Sequence, residues 1–290
     1  MKPLRLALVH RASGRSLRRM GGPFCYEVPE FTWEHFPVIP NFRAKRADFA
    51  GFDAIIYEDG KLHGSITGKG PPVVYMVGDS TLSEAHYQLR RRVAAQSADL
   101  VLVDWDQLER FANQFVPVRR LSYCVNDRLF CPRGDKQHDV TFLARFKRAP
   151  ERYTLAKIIK SAAEKRGWLV SIGHLDGMAY SRAFAEAKIG VNLARNATTR
   201  NYRVFDVMAS GSCLLTDPVP PVSDEPGRDV GVHYAEFATF EEVPDKIAWL
   251  LAEDRWEGYA ERALESVRKH HTWAVRAGQL RAILADELGL

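Results

Sequence analysis

The densest grouping of chemically useful residues is the stretch Asn201-Tyr-Arg-Val-Phe-Asp206-Val-Met-Ala-Ser-Gly211-Ser-Cys-Leu-Leu-Thr216. A polar and basic entry opens a short amphipathic helix that carries one acid. A turn containing glycine stops that helix, and an apolar strand follows. The combination suits a ligand bearing both phosphate and sugar hydroxyls, as a nucleotide sugar does. Arg203, beside Asn201 at the helix entrance, can fork onto phosphate oxygens, and the helix start faces the same way. Asp206 can accept from ribose hydroxyls, and Ser210-Gly211-Ser212 lets a backbone approach closely. Plainer roles exist for each. Asn201 can cap the helix, Asp206 can be a surface acid, and Gly211 can be the C-terminal glycine of the helix with positive φ, which is compatible with a ligand nearby.

The surrounding chain must position these groups. With 290 residues, 46% apolar and 27% charged, it reads as a soluble globular protein with room for two domains. No apolar run approaches the roughly 18 residues of a membrane span. The first ten residues read as a β-strand rather than a signal peptide, so the cytoplasm is the expected compartment. Four cysteines are scattered without C-x-x-C spacing, which argues against a zinc site or disulfide framework. Charge is lopsided: residues 1–150 hold 23 Lys and Arg against 16 Asp and Glu, net +7, while the rest hold 18 against 20, net −2. A basic front half suits a polyanionic partner.

Short apolar runs alternate with helical patterns throughout. Strands are expected at residues 4–9, 36–39, 54–57, 73–77, 100–103 and 121–125, with helices at 82–96 and 105–115. The pattern restarts after the turn-like 132–135, with strands at 140–144, 169–172, 189–193, 213–216 and near 232–234. The helices of this half are expected at 152–165, 180–187, 202–209, 240–252, 255–269 and 272–288. Buried apolar strands separated by helices predict parallel sheets in an α/β fold. The expected division is an acceptor-side Rossmann-like domain over 1–133 and a nucleotide-sugar-binding domain over 134–270. A C-terminal helix, 271–290, is expected to pack back toward the first. Ligands of such sheets bind at the carboxyl ends of strands.

Asn201-x-Arg203-x-Phe-Asp206-x-Met-Ala-x-Gly211, then Leu214-Leu-Thr216-Asp, then His271-Thr-Trp273-x-x-Arg276-Ala, resemble group 1 glycosyltransferases, nearest the spore-maturation-protein-like (CgeB-like) branch. The resemblance is densest over 139–285 and continues more weakly through 73–79 and 121–132. It implies a GT-B fold, two doubly wound Rossmann-like domains facing across a cleft. It also implies transfer of a sugar from a nucleotide diphosphate donor, held mainly by the C-terminal domain, to an acceptor held mainly by the N-terminal one. Two departures stand out. The family usually has Glu where this chain has Asp206, and many relatives carry another Glu two helical turns earlier, a place that falls near Thr198 here, so the usual contact to the donor sugar is missing or supplied elsewhere.

The leaving diphosphate needs positive charge. Arg145, Lys147, Arg148 and Arg152 follow the second domain's first strand, and Arg145 and Arg148 are the first choices for phosphate, against a simple solvated loop. Inversion would require a base for the acceptor proton. Asp79, just after a strand, is best placed, although it can equally cap the next helix. His86 follows, then His10 and Asp59; retention would need no dedicated base. No acid or histidine cluster has metal-ligand spacing, and neither metal nor organic cofactor is expected beyond the donor substrate. The loop after the first strand, with Arg11, Arg15, Arg18 and Arg19, points to an anionic acceptor. Nucleic acid, an anionic polymer and a phosphorylated lipid all qualify, and DNA with a hydroxymethylated pyrimidine is one concrete candidate. Phe31, Trp33 and Phe36 could stack on a base or simply pack in the core. Two rival readings are a catalytically silent GT-B scaffold that binds nucleic acid or a protein partner, and a sugar-nucleotide epimerase. The oligomeric state is not legible.

Overall fold

Runs of Val, Ile, Leu and Ala with no polar alternation become strands buried on both faces, the pattern of a parallel sheet under helices. The computed structural model describes residues 2–11, 24–38, 42–58, 65–76, 97–103, 116–146, 149–193, 202–218 and 232–290. The chain divides into two compact units, one of Met1–Tyr123 with Trp273–Leu290, the other of Cys124–Thr272.

The first unit contains a six-stranded parallel sheet. Its strands are β1 (Leu4–Arg11), β2 (Phe31–Val38), β4 (Ala54–Glu58), β6 (Val73–Met76), β7 (Leu100–Val103) and β8 (Val118–Arg120), in the order β2-β1-β4-β6-β7-β8. A parallel pair, β3 (Arg43–Lys45) with β5 (Ser65–Thr67), lies outside that sheet. Leu6, Ala7, Leu8 and Val9 are all buried, so β1 is covered on both faces. The expected helices at 82–96 and 105–115 lie outside the described residues. The strand expected at 121–125 is not formed; pairing to β7 uses Val118–Arg120 instead. An edge strand tolerates Arg119 in solvent, and that charge hides it from a search for apolar runs. The C-terminal helix, which we number α6 (Trp273–Leu288), belongs to this unit. Trp273 is fully buried against Phe24 and Phe31 and donates from Nε1 to the Tyr26 carbonyl at 2.9 Å. Buried Arg276 donates to the Ser122 carbonyl at 3.0 Å, and Arg119 pairs with Glu287. Of the three aromatics considered for stacking, Phe31 is 2% exposed, Phe36 packs edge-on against Phe49 and Phe52, and Trp33 meets Phe24. Phe31 is a core residue, and Trp33 and Phe36 are half-buried.

The second unit holds a five-stranded parallel sheet, β10-β9-β11-β12-β13, built from β9 (His138–Leu143), β10 (Val170–Gly173), β11 (Ala187–Asn192), β12 (Cys213–Thr216) and β13 (Ala235–Glu236). The helices are α1 (Pro150–Arg166), α2 (Gly177–Ala185), α3 (Arg203–Ala209), α4 (Val243–Leu251) and α5 (Arg255–His270). The last strand comes slightly later than 232–234, and a 3-10 turn at Phe240–Glu242 precedes α4. Residues 124–133 belong to this unit: Ser181 donates to the Leu129 carbonyl, Phe130 packs edge-on against Tyr180, and Val125 bonds to the His271 carbonyl at 2.9 Å. The unit therefore begins at Cys124, before the turn at 132–135 that punctuates the sequence.

Helix α3 lies tightly on β11 because Gly190 has no side chain. A Cβ there would stand 2.6 Å from Val207 Cγ1. Every residue of α3 after Arg203 is buried.

Candidate functional site

Parallel strands bring their carboxyl ends to one edge. In the second unit the order reverses between β9 and β11, and sheets of this kind bind ligands outside the carboxyl ends at such a switch point. The polar groups gathered there are Arg145 after β9, Asn192 at the end of β11, and Thr216 with Asp217 at the end of β12. Arg152, in the first turn of α1, extends to the Leu193 carbonyl at 3.5 Å and so reaches the same edge.

Asn192 organises this edge. Fully buried, it donates from Nδ2 to Thr216 Oγ1 at 2.9 Å and accepts at Oδ1 from the Arg203 guanidinium at 2.9 Å. Thr216 in turn donates to Asp217 at 3.2 Å. Arg203 is thus held by a neutral amide, which fixes its direction without neutralising its charge.

Asp206, one helical turn further, is 5% exposed. It accepts at Oδ2 from the Tyr180 hydroxyl on α2 at 3.2 Å, while Oδ1 has no partner among the described residues. Burial pushes its carboxyl up to about 8, against the opposing pull of the Arg203 charge and then the Tyr180 hydrogen bond. The Tyr180 hydroxyl is pushed upward by its own burial and by Asp206, against the pull of the Arg203 charge and of a hydrogen bond with Arg203. The Tyr180 ring sits edge-on to Phe130 and to Phe184, at 5.9 and 4.9 Å.

At its other end α3 stops on Gly211, whose φ of +70° is left-handed and free of strain only for glycine. The Gly211 amide bonds to the Met208 carbonyl, and its own carbonyl accepts from Lys136 at 2.6 Å. Lys136 also reaches the Ala185 carbonyl and Ser212, closing the ends of α2 and α3 together. Burial lowers its ammonium to about 8. The space beside Gly211 is filled by Pro132, 2.9 Å from where a Cβ would stand.

Of the sequence candidates, Arg203 and Asp206 come together with Tyr180 and Asn192, and Arg145 is exposed just past β9. Arg148, Asn201, Asp79, His86, Arg15, Arg18, Arg19, Asp59 and Thr198 lie outside the described residues. Arg11 ends β1, with only its backbone described. His10 is buried, with its ring edge-on to His35 at 5.3 Å. His271 is buried against Phe205. Sequence reasoning missed Asn192 and Tyr180. A polar residue closing an apolar strand was a signal for Asn192; nothing local marked Tyr180. Among the described residues no group of three His, Cys, Asp or Glu converges, and no helix is long and apolar enough to cross a membrane.

Two Rossmann-like units in one chain define an α/β fold of the GT-B type. Residues 140–282, close to half of the chain, match the family described as Glycosyl transferase-like. Among solved structures, sucrose-phosphate synthase from Thermosynechococcus elongatus is similar at 12% identity and a TM-score of 0.59, with 99% of each chain covered. Anabaena HepE in complex with UDP and glucose is similar at 11% identity and a TM-score of 0.65, with 98% of this chain and 100% of that one covered. A glycosyltransferase from Rickettsia africae is similar at 9% identity and a TM-score of 0.63, with 99% of each covered. No curated protein matches the chain in sequence.

Proposed function

We propose that the protein is a glycosyltransferase that takes a sugar from a nucleotide diphosphate donor bound by the second unit, without need of a metal. The reading is carried by one observation: at the carboxyl edge of β11 and β12, the Arg203 cation is oriented by a neutral amide beside a buried carboxyl that has an unpartnered oxygen. Arg203, with Arg145, Arg148 and Asn201, takes the diphosphate; Asp206 Oδ1 takes a ribose hydroxyl; Gly211 ends the helix that presents them. Support comes from the GT-B fold, from the match over residues 140–282, and from HepE, a neighbour of this fold solved with UDP-glucose. The motif over 201–216 favours the spore-maturation-protein-like branch.

The acceptor falls to the first unit, where Arg11, Arg15, Arg18 and Arg19 suit an anionic molecule, DNA with a hydroxymethylated pyrimidine being one candidate. Asp79 or His86 takes the acceptor proton if the reaction inverts. The cytoplasm is the proposed site of this reaction.

Incubation with UDP, GDP and dTDP and their sugars tests the donor reading. At least one should raise the melting temperature, and its sugar should be slowly hydrolysed. Arg203→Ala should weaken that nucleotide by about ten- to a hundredfold, the loss of a charge-assisted contact. For DNA, log affinity should fall linearly with log salt, and Arg15→Ala with Arg18→Ala should flatten the slope. The deep burial of Asp206 favours a second reading, a silent scaffold of the same fold. No response to any nucleotide or sugar would select it.

A further inference from the structure

Arg203 and Asp206 stand three residues apart on α3, a spacing at which opposite charges on a helix ordinarily meet. Here they form no ion pair, and the Tyr180 hydroxyl lies against both. The Arg203 guanidinium extends to the end of β11 and donates to Asn192. The Asp206 carboxyl turns toward α2 and accepts from Tyr180. Each retains an unused atom in buried surroundings, Arg203 Nε and Asp206 Oδ1, neither partnered among the described residues. A buried polar atom without a partner is costly, because it has lost its water and gained nothing in exchange. Closing the two groups on each other would relieve that cost, so the open arrangement requires restraint from outside α3.

Tyr180 supplies it. Phe130 and Phe184 meet its ring edge-on and fix the hydroxyl, which donates to Asp206 Oδ2 and stands against the Arg203 guanidinium on its other side. A tyrosine used only for packing would have no need of a hydroxyl here, because phenylalanine would make the same edge-on ring contacts. The hydroxyl binds the carboxyl by one oxygen and leaves the other untouched.

We propose that Tyr180 is a positioning residue that holds Asp206 off Arg203, so that one carboxyl oxygen and one guanidinium stay available to a nucleoside diphosphate. The ligand class follows from the pair it leaves open: an acceptor for a ribose hydroxyl and, on the preceding turn, a cation for phosphate. That half of the inference rests on the donor reading above; the restraint itself does not. Among the described residues, Arg203 from α3 and Tyr180 from α2 are the charged and titratable groups acting on the Asp206 carboxyl.

Tyr180→Phe removes the hydroxyl and keeps the ring. The two explanations of its effect differ in sign. If the hydroxyl merely stabilised the carboxylate, losing it would raise the Asp206 titration midpoint. If it holds the pair open, losing it lets Asp206 close on Arg203 and the midpoint falls. Carbon-13 NMR of the Asp206 carboxyl should show a midpoint near 8 in the wild type and at least one unit lower in Tyr180→Phe. In Tyr180→Phe with Arg203→Met there is no cation to close on, and the midpoint should stay high. A midpoint that rises or stays put in Tyr180→Phe overturns the restraint. Should that variant not fold, Asn192→Ala releases Arg203 from the other side and must give the same fall.

Calorimetry with UDP and 2′-deoxy-UDP tests the ligand half. Tyr180→Phe should weaken UDP about tenfold and reduce the preference for UDP over the deoxy form by a similar factor, the worth of a hydrogen bond to a charged group. A purely structural role would weaken both nucleotides alike and leave the preference intact, which would overturn the assignment. A wild type that binds no UDP, GDP or dTDP, together with a falling midpoint, would sink the donor reading while leaving the restraint in place.

Discussion

Replacing Gly190 with alanine tests whether α3 is seated as tightly as its chemistry requires. The added Cβ would lie 2.6 Å from Val207 Cγ1, 2.9 Å from Cγ2 and 3.3 Å from Cβ. Carbon atoms are comfortable at about 3.5–4.0 Å, so α3 must retreat by roughly an ångström or Val207 must leave its rotamer. Neither side has slack: β11 is paired on both edges, by β9 and β12, and Val207 is fully buried. Overpacking of this kind costs about 1–3 kcal/mol. A 2 kcal/mol loss in a unit of this size lowers the melting temperature by about 4–8 °C. Val207→Ala opens the space, so the double variant should recover stability that the single substitutions do not predict, with a coupling of about 1 kcal/mol or more. The same retreat would pull Arg203 from Asn192, so stabilisation by UDP should fall in Gly190→Ala and return in the double variant. Calorimetric melting of the four proteins, with and without UDP, provides the measurement. Strict additivity, or a Gly190→Ala protein that melts within a degree of wild type, would refute the close packing of α3 on β11.

Three other outcomes follow from the same geometry. The Asp206 carboxyl titrates near 8 when folded and near 4 when unfolded, so the native state holds the extra proton between those values and wild-type stability falls as pH rises through that window. Asp206→Asn should lack this decline and gain on wild type by an amount on the order of 5 kcal/mol at pH 8; parallel melting curves at pH 5, 6.5 and 8 would contradict it. Lys136 has the opposite sense: its folded value near 8 lies below the ordinary lysine value, so it contributes rising stability from pH 8 to about 10.5, and Lys136→Met should remove that rise in a melting series. Gly211→Ala places a side chain at φ +70° against Pro132 and should cost about 1–2 kcal/mol from the backbone alone, plus the contact, read by urea unfolding.

The α/β class was plain from runs such as Cys213–Thr216, whose four residues are all buried in a strand with the expected limits. Helices α1, α3, α5 and α6 also fall within two residues of their expected starts. Failures cluster where polarity and structure disagree. β8 is an edge strand of valine and two arginines, so its alternation with solvent resembles a loop; the apolar run beside it, Leu121 to Val125, is mostly buried and bonds at its two ends without forming a strand. The short strands β3 and β5 bear exposed polar residues and carry no apolar signature.

At the site, local sequence identified Arg203, Asp206 and Gly211 as residues of the right chemistry on a short helix, because capping, turn geometry and amphipathic spacing act over a few residues. It could not say where those side chains point. Asn192 lies 11 residues from Arg203, and Tyr180 lies 26 from Asp206. These meetings depend on strand order, which places the ends of β11 and β12 side by side, and on α2 and α3 packing against one another. Strand order arises from the packing of whole helices on the sheet, a property that no local window carries. Tertiary structure alone therefore decided that the arginine and aspartate, adjacent on one helix, are held apart by partners from two other elements.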